Sequence, residues 1–134
     1  GGLLGAGTYQ VDYTWYNVWG ETTVGTGRSA TFTVASTNIP RVTLPAIPTG
    51  ATGAKIYLSN VNTPTGVAKY YDKMTSGTTK DLAVATWNEG TQTYAAATIV
   101  APTSNTTKGP TVQGLTVANA VLGVVDPSWG RYTG

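Results

Sequence analysis

Apolar and polar positions alternate with period two along much of this chain. In Tyr9-Gln10-Val11-Asp12-Tyr13-Thr14-Trp15-Tyr16, the residues Tyr9, Val11, Tyr13 and Trp15 fall on one face and the rest on the other. That spacing predicts a half-buried β-strand with the first set in the core. Asn17-Val18-Trp19-Gly20-Glu21-Thr22 breaks the alternation and reads as a turn. Ala30-Thr31-Phe32-Thr33-Val34 and Arg41-Val42-Thr43-Leu44 predict the next two strands, the latter bounded by Pro40 and Pro45. Pro45 to Gly53 cannot be a regular ladder strand, because proline removes donors and glycine favours turns. Alternation resumes at Ala54-Lys55-Ile56-Tyr57-Leu58-Ser59, with Ile56 and Leu58 on one side and Tyr57 on the other. Val67-Ala68-Lys69-Tyr70-Tyr71 follows a polar loop, and Thr75-Ser76-Gly77-Thr78 marks a turn. Leu82-Ala83-Val84-Ala85-Thr86-Trp87 predicts another strand, closed by a turn at Asn88-Glu89-Gly90. Residues 93–100 predict one more, weakened by Ala95-Ala96-Ala97.

Short strands at spacings of about eight to twelve residues, with turn signals between them, are the pattern of an antiparallel β-sandwich or small barrel. The expected architecture is all-β: an antiparallel sandwich over residues 1–100, followed at 101–134 by a linker and an extended C-terminal segment. Ala101 to Pro110 reads as the linker. Beyond it, Val112, Leu115, Val117, Val121, Leu122, Val124 and Val125 precede Trp129, Arg131 and Tyr132. So apolar a stretch is not expected to lie bare in water. It either supplies final strands to the same sandwich or adds to a neighbouring subunit's sheet edge or groove.

Composition reinforces the β reading. Charged residues are 10% of the chain against roughly 25% in an average soluble protein. Hydrophobic residues reach 40%, enough for a core, while 17 Gly and 7 Pro mark turns. The net charge is +2 and the eight Lys and Arg are scattered, so no basic patch suits a nucleic-acid partner. No apolar run approaches the roughly 20 residues of a spanning helix, so membrane insertion is not expected. The opening Gly1-Gly2-Leu3 is expected to mark a processed product or a piece of something longer.

The chain contains neither cysteine nor histidine. Their absence removes thiolate chemistry, disulfides and the usual general base near neutral pH. Six carboxylates remain, Asp12, Glu21, Asp72, Asp81, Glu89 and Asp126, and nothing in their spacing marks a glycosidase pair or a calcium loop. No catalytic residue, metal site or cofactor is therefore expected, and the chain is not read as an enzyme. Asn105-Thr106-Thr107 matches a glycosylation acceptor, a triplet frequent by chance.

Two stretches carry a family resemblance. Gly7-Thr8-Tyr9-Gln10-Val11-Asp12-Tyr13-Thr14 followed by Asn17 and Gly20-Glu21-Thr22 resembles a pattern of fibronectin type III-like domains in bacteriophage virion proteins. Val42-Thr43-Leu44-Pro45 through Pro48-Thr49-Gly50-Ala51-Thr52-Gly53 to Lys55-Ile56-Tyr57-Leu58-Ser59 is similar to a second stretch of that group. Together they cover about the first sixty residues. The resemblance implies a fibronectin-like or immunoglobulin-like sandwich serving as a decoration, tail, fibre or baseplate element of a virus particle. It brings no catalytic residues, and similar modules also occur on bacterial surfaces and in secreted glycoside hydrolases.

The expected partners are other copies of the chain or other virion or surface structural proteins, with glycans as a further possibility. The expected location is the virion, or alternatively the cell exterior. The contact residues expected from the sequence are Tyr16 and Trp19 near the first turn, with Leu115, Val117, Val121, Leu122, Trp129, Arg131 and Tyr132 in the tail. An indole outside the core can stack on a sugar face or fill a partner's pocket. Three roles stay open: a virion component, a subunit of an extracellular filament, and a carbohydrate-binding module using Trp19 and Tyr16.

Overall fold

The computed structural model describes residues 4–24, 29, 31–35, 38–107 and 125–126. Among these residues all regular structure is β, and every strand pairing is antiparallel. The strands are β1 Gly7–Tyr9, β2 Val11–Tyr16, β3 Phe32–Val34, β4 Arg41–Thr43, β5 Gly53–Leu58, β6 Lys69–Met74, β7 Thr79–Asp81 and β8 Val125–Asp126. They form a β1-β3 pair, a β2-β5-β6 sheet and a β7-β4-β8 sheet.

The first alternating run divides at Gln10. Tyr9 lies opposite Phe32 in one sheet and Val11 opposite Leu58 in another. Ser59 holds the division: its amide donates to the Gln10 carbonyl at 3.0 Å, and its Oγ accepts from the Gln10 amide at 3.0 Å. The side-chain alternation passes through the division unbroken. Tyr9, Val11, Tyr13 and Trp15 are all buried, joining Phe32, Val34, Val42, Ile56, Leu58, Tyr71, Leu82 and Trp87 in the main core. The opposite face is less exposed than its polar residues imply, because Thr14 is fully buried and Asp12 nearly so. Across β5, Tyr57 forms a second cluster with Ala68 and Tyr70, against which Ala101 packs. Residues 99–107 thus lie over the sheet face that the alternation reserves for polar groups. Tyr70 donates its amide to Ile99 O at 2.8 Å, and Thr107 is fully buried.

Two expected strands are corrected. Residues 82–87 do not join a ladder, although Leu82 and Trp87 are buried as the alternation requires. The Tyr71 hydroxyl donates to Val84 O at 2.5 Å and accepts from Val84 N at 3.2 Å, so a side chain meets the backbone demand of Val84. Residues 93–100 also form no strand. Thr93 instead opens a turn, with Ala97 N donating to its carbonyl at 3.0 Å. A short strand that alternation does not reveal, β7, pairs with β4 and sets Arg41 opposite Asp81, which its guanidinium grips at 2.7 and 3.2 Å.

Candidate ligand-binding cleft

The turn after β2 is built around one side chain. Asn17 Oδ1 accepts from the amides of Trp19 and Gly20 at 2.9 and 3.1 Å, the pattern that closes an Asx turn. Its Nδ2 donates to Gly50 O at 3.2 Å and Thr107 O at 3.0 Å, so the same residue ties the turn to two distant segments. Glu21 then pairs with Tyr16 across the turn and exchanges hydrogen bonds with Thr106. Gly20 is required at its place, because a Cβ there would overlap Thr106. The turn is therefore held on several sides, yet it carries Val18 at 88% and Trp19 at 48% exposure.

Beneath the turn, the outer face of the β2-β5-β6 sheet holds a polar network. Glu21 Oε2 accepts from Thr14 Oγ1 at 2.5 Å and from the Tyr57 hydroxyl. Its Oε1 stands 3.6 Å from Lys55 Nζ, with both side chains mostly buried. Lys55 lies opposite Thr14 in the ladder, and its ammonium sits 5.4 Å from the Tyr16 ring centroid and 5.7 Å from that of Tyr70. Cation–π contact partly replaces the water this ammonium loses. The Tyr70 hydroxyl donates to Glu89 Oε2 at 2.7 Å. Burial raises the Tyr57 hydroxyl's pKa, and acceptance by the Glu21 carboxylate raises it further. Burial and Glu89 do the same to Tyr70. Both phenols stay protonated, as hydrogen-bond donors must.

Part of this network borders an open cleft of about 350 Å³, lined by Tyr16, Glu21 and Lys55 together with Val18 and Trp19 of the turn and with Pro102 and Thr106. Tyr16 and Trp19, expected as contact residues, are thus brought to one place. Glu21, Lys55, Pro102 and Thr106 join them without having been expected there. A signal for Lys55 was present: it shares parity with Tyr57 on the outward face of β5. Nothing local signals residues 102–106, which arrive from some ninety positions away along the chain. Leu115, Val117, Val121, Leu122, Trp129, Arg131 and Tyr132 lie outside the described residues.

The cleft lining contains one carboxylate, so it does not present the paired acid and base that glycoside hydrolysis uses. No group of three or more metal-ligating side chains occurs among the described residues. A second hollow of about 330 Å³, lined by Tyr9, Val61, Trp87 and Tyr94, is mainly apolar. No family model matches the chain, and neither a curated protein nor a solved structure matches it.

Proposed function

We propose that this chain is a non-enzymatic structural module of an extracellular assembly, specifically a virion component. In this reading it is an antiparallel β-sandwich of the fibronectin type III or immunoglobulin-like kind, whose C-terminal segment docks to neighbouring subunits. The observation that carries the reading is the edge of β4. There Val42 lies opposite Val125 and Arg41 opposite Asp126, so the edge takes a strand from the far end of the chain. An edge that receives the chain's own tail through two residue pairs has the geometry to receive the same tail from a neighbour. The missing histidine and cysteine and the single carboxylate in the cleft support a non-catalytic role. The resemblance of the first sixty residues to modules of virus particles motivates the virion reading, and the occurrence of similar modules on bacterial surfaces keeps the filament subunit as its rival.

The experiment removes the tail and leaves the rest. Residues 101–107 are fastened to the first turn, so the cut belongs after residue 108 rather than near Val100. A chain ending at residue 108 is expected to keep the near-ultraviolet circular dichroism of the full chain. The full chain is expected to associate with rising concentration in analytical ultracentrifugation, and the shortened chain to lose that association. Equal association of both chains would overturn the docking role of the tail. Electron microscopy of the associated form then separates closed particles, which the virion reading expects, from the fibres of a filament subunit.

A further inference from the structure

We infer that the cleft beneath the Asn17 turn binds a neutral saccharide, with Trp19 as the stacking face and Glu21 and Lys55 as the hydroxyl-binding pair. This goes beyond the assembly role and does not depend on it. Three features of the cleft define the ligand's chemistry.

Charge comes first. The cleft holds one carboxylate and one ammonium, 3.6 Å apart, so each is already balanced by the other. An anion would have to displace Glu21 from Lys55, and a cation the reverse. A neutral polyol needs neither. Its adjacent hydroxyls can donate to Glu21 Oε1 and accept from Lys55 Nζ, whose separation is too long for a direct hydrogen bond between them.

Shape and apolarity come next. Trp19 borders the cleft, is half exposed, and its indole N–H has no hydrogen-bond partner among the described residues. An indole offers a flat apolar face beside a polar handle. A pyranose ring offers the complement, a flat C–H face with hydroxyls at its rim. The volume of about 350 Å³ lies near the lower end of the roughly 300–1,000 Å³ usual for small-molecule sites. That suits a short saccharide or the end of a longer glycan.

Preorganisation is the third feature. Asn17 fixes the backbone of Trp19, and Thr14 and Tyr57 fix the carboxylate of Glu21. Ligand binding therefore has little protein ordering to offset, which favours a site that contacts few ligand atoms.

The test is an NMR titration of the isotope-labelled full chain with methyl β-glucoside, methyl β-galactoside and the N-acetylglucosamine disaccharide. At least one of these is expected to shift the Trp19 indole resonance saturably, with a Kd on the order of 0.1–10 mM. The resonances of the buried Trp15 and Trp87 indoles stay in place. Trp19→Ala is expected to weaken binding about tenfold or more. It leaves the fold intact because the side chain is half exposed. Val67→Ala removes an exposed apolar side chain that does not line the cleft and is expected to leave saccharide affinity unchanged. The chain ending at residue 108 is expected to bind as the full chain does, so failure here and failure of the docking role are distinguishable. The inference is overturned if no neutral saccharide shifts Trp19, or if only sulfated or uronic saccharides do. It is equally overturned if Trp19→Ala binds as well as the native chain.

Discussion

Tyr13 and Tyr71 are both buried core tyrosines, yet their hydroxyls meet opposite fates. Tyr71 finds the backbone of Val84, whereas the Tyr13 hydroxyl is buried with no hydrogen-bond partner among the described residues. The Tyr13 ring earns its place through the core and through an edge contact with Trp15, centroids 5.1 Å apart. Burying an unsatisfied polar group costs about 1–3 kcal/mol. Tyr13→Phe keeps the ring and removes the orphan, so it is expected to stabilise the protein by about 1 kcal/mol in urea denaturation. A loss of stability would show that the hydroxyl has a partner. Period-two alternation located Tyr13, Trp15 and Tyr9 in the core, because strand side chains must face one side or the other. It could not show which hydroxyl is satisfied, since the partners come from other elements. Trp87 makes the same point: its indole N–H donates to Leu58 O at 3.0 Å, and its ring meets Tyr71 and Tyr94 edge-on.

At the scale of elements, two side chains meet backbone groups of β2 along the edge away from β5. Thr22 donates its amide to Trp15 O at 2.9 Å and accepts from Trp15 N through Oγ1 at 3.0 Å. Ser29 repeats the arrangement at Val11, with distances of 3.0 and 2.9 Å. Both residues are buried, and the edge is closed to further pairing there. Tyr71 plays the corresponding part for residues 82–87, which is why an alternating segment runs beside the core without becoming a strand. Tyr71→Phe is expected to cost about 1–2 kcal/mol. It should also speed amide exchange at Val84, measured by hydrogen–deuterium exchange. Unchanged exchange would mean that other contacts hold the segment. A one-dimensional pattern reports burial and cannot report whether a backbone group is met by a strand or by a hydroxyl.

For the whole molecule, the dense use of tyrosine has a consequence for pH. Burial pushes the Tyr9 and Tyr71 hydroxyls up to about 12 from their ordinary value of 10.0. Tyr57 and Tyr70 are raised further, by burial first and then by the carboxylates they donate to. In the unfolded chain these phenols release protons near pH 10, while in the folded chain they retain them. The unfolded state then binds fewer protons, so stability falls as pH rises above 10. Thermal unfolding followed from pH 8 to pH 12 is expected to show a steep decline in Tm beginning near pH 10. A flat profile would mean that these hydroxyls ionise in the folded state as they do in water. The raised values belong to the fold as a whole, because the burial responsible comes from both sides of the β2-β5-β6 sheet.

The sequence by itself determined that the chain is β and which residues of its first strands face the core. Both follow from backbone geometry, since side chains alternate along any strand whatever it pairs with. It also singled out Tyr16 and Trp19 as expected contact residues, and the fold sets both beside one cleft. Only the tertiary structure decided that the first run divides between two sheets at Gln10 and that residues 82–87 lie outside the ladders. It alone brought Glu21, Lys55 and Thr106 under Trp19. Those outcomes depend on contacts between segments far apart along the chain, and the energy of such contacts is set by packing and hydrogen-bond geometry rather than by any local pattern.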